Sequence, residues 1–149
     1  MDYDKDHEKY LDGYSIYKEL NDKEKNYIGS HFIESPFVVY RKVIYNDQSK
    51  AIGYIELIDI EKIKKFNDIY LSNSLFLTIM VHPEYRRFGI GKILIESAIN
   101  WFKQQNEFDK IVYRVNRDNE KSINLAKKCG FKFYPYGEEP NKEFYILRK

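Results

Sequence analysis

Three cationic residues, Arg86, Arg87 and Lys92, surround two glycines in the stretch Val81-His82-Pro83-Glu84-Tyr85-Arg86-Arg87-Phe88-Gly89-Ile90-Gly91-Lys92. Full positive charge beside bare backbone is what holding a phosphate group requires. The apolar run Leu75-Phe76-Leu77-Thr78-Ile79-Met80-Val81 leads into this turn, and Leu94, Ala98, Trp101 and Phe102 follow it at helical spacing. The order is therefore strand, basic glycine turn, helix. The first free N–H groups of that helix, and the positive end of its dipole, aim into the turn. Gly89 and Gly91 lack the Cβ atoms that would keep a ligand from the backbone, and the cations add charge. A phosphate-bearing cofactor is the expected guest. The alternative is a solvated turn that uses glycine for steric reasons alone.

A second block, Asn119-Glu120-Lys121-Ser122-Ile123-Asn124-Leu125-Ala126-Lys127-Lys128-Cys129-Gly130-Phe131, reads as a short helix. Asn119 is placed to cap it, Lys127 and Lys128 suit its last turn, and Gly130 fits the left-handed position beyond. Ile123, Ala126 and Cys129 give it one apolar face. A third signal is Glu56. Strand alternation puts Ile52, Tyr54, Glu56, Ile58 and Ile60 on one side, so a carboxylate stands among apolar and aromatic neighbours. If that side is covered, desolvation would raise its affinity for protons toward a useful base. If the side is partly wet, Glu56 merely keeps an exposed sheet soluble.

Other reactive side chains lack the spacing that chemistry needs. His7, His31 and His82 do not form a metal-ligand pattern, and one cysteine cannot complete a zinc site. His82 beside Pro83 reads as a residue that shapes the entry to the turn. Gly91-Lys92-Ile93 lacks the spacing of a nucleoside-triphosphate phosphate loop. Cys129 reads as a small core residue. Glu138, Glu139 and Glu143 could attract a cationic amine or simply solvate a loop.

The elements that must position these groups follow in order. Residues 1 to 12 are charged and read as loose. Tyr14 to Leu20 suggests a strand and Asn21 to about Phe32 a short helical region. Phe37 to Tyr45 and Ala51 to Ile60 form a hairpin around Asn46-Asp47-Gln48-Ser49. Glu61 to Asn73 is polar, an inserted helix or loop. The central strand, glycine turn and helix come next, then a strand from Lys110 to Val115, the capped helix, and a final pair, Phe131 to Tyr136 and Lys142 to Leu147. Antiparallel strands first and β–α–β–α–β–β later make an α+β fold, with a single domain expected over residues 1–149.

Composition agrees with this. At 149 residues, 43% hydrophobic and 17% aromatic, the chain has enough apolar surface for a substantial core. The net charge of +2 is spread among interspersed acids and bases, unlike a nucleic-acid footprint. No apolar run reaches membrane-spanning length, and the charged start Met1-Asp2-Tyr3-Asp4-Lys5-Asp6-His7-Glu8 is unlike a secretory signal. The single Cys129 cannot form an internal disulfide. A cytoplasmic location without membrane or nucleic-acid partners is the expectation.

The pattern Arg86-x-x-Gly89-x-Gly91, preceded by Val-His-Pro-Glu-Tyr, resembles the (Gln/Arg)-x-x-Gly-x-(Gly/Ala) signature of the GNAT N-acetyltransferase family. The block from Asn119 to Gly130-Phe131 is similar to a second element of that family. The resemblance spans nearly the whole chain and implies a mixed, mostly antiparallel sheet flanked by helices. It implies acetyl-CoA as cosubstrate without a metal, with its pyrophosphate wrapped by Arg86, Arg87, Phe88, Gly89, Ile90, Gly91 and Lys92. The main chain at Met80 and Val81, and the side chain of Asn119, would meet the pantetheine arm. Asn119 could equally be a cap only, or serve both roles.

The resemblance also bears on catalysis. Family members often place a glutamate on a central strand as base, which fits Glu56. Many use a tyrosine four positions before the glycine of Gly-Phe as acid, and here that position is Ala126. The pattern is closer to the Asn-x-x-Ser branch, which includes ribosomal-protein N-terminal alanine acetyltransferases. There a serine at the place of Ser122 can be the donor. Ser122 also suits an ordinary first helical turn, and Tyr134 and Tyr136 are alternative donors. The implied reaction acetylates a primary amine of a small molecule or a peptide. Alternatives are a catalytically weak acyl-CoA-binding regulatory module and an anion-binding or nucleic-acid-binding domain without coenzyme A, built on the basic turn. Dimerisation is common in the family, so a homodimer is an implied assembly.

Overall fold

The computed structural model describes residues 37–59, 71–135, 137 and 139–149, Arg87 by its main chain only. The expected features within residues 1–36 and 60–70 lie outside the described residues, as do His7, His31, Ile60, Tyr136 and Glu138.

Strand β1 (Val38–Tyr45) turns into β2 (Ala51–Ile58). Ser49 supplies the left-handed residue of the connection, with φ of 61°. Strand β3 (Ser74–Val81) follows, then a 3-10 helix (Pro83–Phe88), helix α1 (Ile90–Gln104) and strand β4 (Lys110–Asn116). Helix α2 (Glu120–Lys128), β5 (Lys132–Tyr134) and β6 (Lys142–Arg148) complete the described chain. The last hairpin thus has a first strand of only three residues, shorter than alternation suggested.

The sheet order is β1-β2-β3-β4-β6-β5. Among the described strands only β3 and β4 run parallel; every other pair is antiparallel. A parallel pair needs a crossover, and the 3-10 helix with α1 provides it. This is the mixed, mostly antiparallel α+β sheet expected from the sequence.

Both faces of the sheet are packed. Leu94, Ala98 and Phe102, spaced four apart on α1, are fully buried against Ile55, Leu57, Leu75, Leu77, Ile111 and Tyr113. On the other face Phe76, Val112, Phe144 and Ile146 join Leu71 in a smaller cluster. Gly53 sets how closely α1 can approach. A Cβ there would stand 3.1 Å from Ile90 Cγ2 and 3.2 Å from Leu94 Cδ1. The start of α1 is therefore seated directly on β2, and the turn before it is fixed from below.

Candidate functional site

The parallel pairing of β3 with β4 runs from Ser74↔Lys110 to Leu77↔Tyr113 and then stops. Beyond it Thr78–Val81 and Arg114–Asn116 continue without a ladder between them, and β3 changes from buried to half-buried at Thr78. The strands part into a slot. On its far side β3 remains paired with β2, Glu56 opposite Thr78 and Gly53 opposite Val81. His82 N–H donates to Ile52 O at 2.8 Å, which fixes the phase of that ladder. Thr78 and Met80 exchange their backbone bonds with Glu56 and Tyr54, so the N–H and C=O of Ile79 and Val81 point toward the slot. Ile79 thus joins Val81 as a strand-edge group, a residue that the sequence did not single out. Arg86 Nε reaches back to Val81 O at 3.3 Å.

At the open end of β3 the chain is tied down at each step. His82 Nδ1 accepts the Glu84 N–H at 3.2 Å, and Pro83 opens the 3-10 helix without a donor to satisfy. This is the shaping role expected of His82. The Tyr85 ring meets His82 edge-on at 5.7 Å and lies 6.2 Å from Phe88, which is exposed. Gly89 ends the 3-10 helix and caps α1 with φ of 73°, a left-handed conformation that favours glycine. A Cβ on it would meet nothing within 4 Å. The N–H groups of Ile90, Gly91 and Lys92 are the free donors of the first turn, and no acidic residue in that turn offsets them.

Gly91 differs from the expectation that both glycines clear space for a ligand. A Cβ on it would lie 3.0 Å from Leu125 Cδ2 and 3.9 Å from Val81 Cγ2. Gly91 therefore makes room for α2. Ile90 is buried in the core, so only its backbone faces the turn. Lys92 is 60% exposed in its side chain and 3.8 Å from Glu96. Such an exposed pair is worth about 1 kcal/mol or less, too little to withhold Lys92 from an anion.

Across the slot, Asn119 Oδ1 accepts the Ser122 N–H at 3.2 Å, so the capping role is real. The side-chain NH2 of Asn119 is not used by that cap. Gly130 takes the left-handed position with φ of 95°. Ala126 is fully buried in the core. Tyr113 on β4 is also buried, and its ring meets Phe131 edge-on at 5.6 Å. Its burial was legible in strand alternation, but its place beside Ser122 depends on how α2 folds back. Burial pushes the Tyr113 phenol up to about 12, opposed by Ser122 and reinforced by Cys129. Burial likewise pushes the Cys129 thiol up, Glu96 adds to this and Lys92 opposes it. Cys129 is thus a neutral, half-buried thiol, as its apolar setting suggested.

Glu56 lies on the other face of the sheet. It is 0% exposed, which removes the reading of a partly wet, solubilising glutamate. Nor is it alone among apolar groups: Arg41 Nη2 donates to Glu56 Oε2 at 2.8 Å. Tyr54 stands two residues away, its phenol pushed up by burial, further by Glu56, and eased by Arg41. The structure therefore gathers the glycine turn, the β3 edge, Asn119 and Ser122 around the slot. Glu56 faces the slot's apex from the opposite side, through its pairing with Thr78. Of the acidic rim, Glu139 is bonded to Arg114 at 2.5 Å and Glu143 accepts the Tyr145 O–H at 2.7 Å. Among the described residues no group of His, Cys, Asp and Glu could hold a metal ion, and no helix is long and apolar enough to cross a membrane.

These features have relatives. A spermidine N(1)-acetyltransferase of Vibrio cholerae is 30% identical over 61% of this chain and 48% of its own length. The chain thus spans about half of that relative. A chimera of the spermidine N-acetyltransferase SpeG, from Vibrio cholerae and hSSAT, superposes with a TM-score of 0.62 at 21% identity, covering 95% of this chain and 93% of the other. YncA of Salmonella typhimurium, solved with its cofactor acetyl-CoA, gives 0.56 at 18% identity over 72% and 63% of the two chains. At these identities the two structures speak for the fold. The sequence model of the acetyltransferase (GNAT) family matches residues 4–131, across the slot, the glycine turn and the capped helix. The chain belongs to the acetyltransferase (GNAT) family.

Proposed function

We propose that the protein transfers an acetyl group from acetyl-CoA to a primary amine by direct attack of the amine on the thioester. The observation that carries this reading is the slot opened by β3 and β4 after Leu77↔Tyr113, ending at a basic glycine turn. The turn fits a pyrophosphate: it offers free helical N–H groups, Arg86 and Lys92 flank it in the chain, and the space beside Gly89 is open. The N–H and C=O of Ile79 and Val81 then pair with the amides of the pantetheine arm, as an added strand would. From Val81 to Leu77 the edge is about 13 Å long, which carries the thioester toward the apex of the slot. Met80 lines the other face of β3, and Asn119 offers its side-chain NH2 from across the gap.

Bound acetyl-CoA supplies the activated acyl group. The backbone of β3 orients and polarises its carbonyl, which is catalysis mostly by positioning. Glu56 accepts the proton leaving the amine nitrogen, acting through water from the far face of the sheet. Ser122 donates a proton to the departing sulfur. The acceptor is an amine of a small molecule or a peptide. The spermidine specificity carried in the relative's name makes a polyamine the first amine to try.

Ala126, where many family members have their acid, favours a second reading as a catalytically weak acyl-CoA-binding module. Release of thiol from acetyl-CoA, measured against spermidine, other amines and short peptides, separates the two. Coenzyme A protection against heating accompanies it, because a ligand that binds the folded state raises apparent stability. Turnover supports the enzyme; protection without turnover across the panel supports the binding module; neither response overturns the cofactor site.

A further inference from the structure

We propose that Tyr113 is a positioning residue for the proton donor, its buried hydroxyl standing behind Ser122 at the apex of the slot. The proposal rests on the acetyltransferase reading above. Tyr113 is the register partner of Leu77, the last pair before β3 and β4 separate. It is 3% exposed, and its hydroxyl makes no hydrogen bond of standard geometry. A buried hydroxyl in that state is unusual in a folded protein and asks for a role. The Ser122 hydroxyl faces it closely enough to act on its charge, though outside the geometry of a full bond. Each member of the pair is held separately. Phe131 packs at 90° against the Tyr113 ring, and the Asn119 cap fixes the first turn of α2 that carries Ser122.

The pair completes the proton balance of the transfer. The nitrogen–carbon bond forms, the carbon–sulfur bond breaks, and its electron pair goes to sulfur. Ser122 Oγ–H gives its proton to that sulfur, and the Tyr113 O–H proton moves to Ser122 Oγ. Glu56, which took the proton from the amine nitrogen, releases it to water, and through that water Tyr113 is restored, so the carboxylate and both hydroxyls end as they began. Serine alone is too weak an acid to be left charged. A phenol behind it provides a more stable place for the charge. Burial keeps that phenol protonated at neutral pH, so it enters the step as a donor.

The test uses Tyr113→Phe, which keeps the ring and its contact with Phe131 while removing only the hydroxyl. With the best acceptor of the panel, kcat should fall about tenfold or more, the scale of a general-acid contribution. The KM for acetyl-CoA, the thermal midpoint and coenzyme A protection should stay near those of the native protein. Ser122→Ala should lose at least as much, and the double variant little beyond Ser122→Ala, because the residues act as one unit. Native kcat in Tyr113→Phe with a slow Ser122→Ala overturns this proposal alone. Independent, multiplying losses in the double variant also overturn it. Native kcat in both single variants removes the Ser122 assignment as well. No turnover by the native protein with any acceptor overturns the acetyltransferase reading and this proposal together.

Discussion

Asn46 Nδ2 donates a hydrogen bond to the Tyr85 hydroxyl at 3.2 Å, tying the β1–β2 turn to the 3-10 helix that ends at Gly89. The same Asn46 side chain accepts the N–H groups of Gln48 and Lys50, each at 2.9 Å. One buried amide therefore organises its own turn and steadies the cofactor turn. Tyr85→Phe should raise the KM for acetyl-CoA several-fold while kcat stays within about twofold, with a stability loss near the roughly 1 kcal/mol of a net hydrogen bond. Asn46→Ala also strands two turn N–H groups and should cost about 1–3 kcal/mol. Steady-state kinetics beside urea unfolding measure both effects. An unchanged KM in Tyr85→Phe would show that the strut does not reach the site.

The two glycines of the turn should respond differently. Gly89→Val forces a branched residue into a left-handed backbone, costing about 1–2 kcal/mol or more, and should abolish coenzyme A protection while the fold survives. Gly91→Ala presses on Leu125, an overpacking of about 1–3 kcal/mol. The added change Leu125→Ala should relieve the clash and leave coenzyme A protection intact. Thermal shifts with and without coenzyme A read each case. Full protection of Gly89→Val would remove the turn from the binding site.

Arg41 and Glu56 should be coupled. Arg41→Met takes from the buried Glu56 carboxylate the guanidinium bonded to it at 2.8 Å, a loss of about 3–5 kcal/mol. Arg41→Met with Glu56→Leu should recover much of that stability, since a buried ion pair is often replaceable by packed apolar groups. Turnover should remain lost if Glu56 takes the amine proton. Urea unfolding and thiol release on the same samples separate the structural part from the chemical one. Near-native turnover in the double variant would dismiss Glu56 as base.

Tyr113 should make the protein sensitive to alkali. Its phenol lies near 12 in the folded state against 10.0 in the open chain. Between those values the unfolded chain gives up a proton that the folded one keeps, so stability falls as pH rises. The contribution is complete below about pH 10 and is lost as pH climbs through 12. Thermal midpoints measured from pH 9 to 12.5 should therefore drop less steeply in Tyr113→Phe than in the native protein. Parallel curves would show that this phenol is not held back by the fold.

Local pattern was enough to read the Asn119 cap, the left-handed Gly130, the buried stripe of α1 and the basic turn, because each is set within a few residues. What escaped depends on long-range register. The irregularity between Val38 and Tyr40 shifts β1 by one residue and so brings Arg41 opposite Glu56. Without it Tyr40 would face Glu56. Ile79 rather than Met80 presents backbone to the slot because the β2–β3 ladder has one particular phase. Gly91 answers to Leu125, some thirty residues on, and the Tyr113–Ser122 approach needs α2 folded back over β4.

Among the described residues, the two halves of the sheet, β1-β2-β3 and β4-β6-β5, are joined by only the four register pairs from Ser74↔Lys110 to Leu77↔Tyr113. By contrast β4 is paired along its whole length with β6, Lys110↔Arg148 through Asn116↔Lys142. During synthesis β4 must therefore wait for Lys142–Arg148 to leave the ribosome before its principal partner exists. Such non-local closure is slow and leaves an unpaired strand edge exposed meanwhile. The first three strands can assemble earlier, so the seam that becomes the cofactor slot is also the boundary between early and late folding.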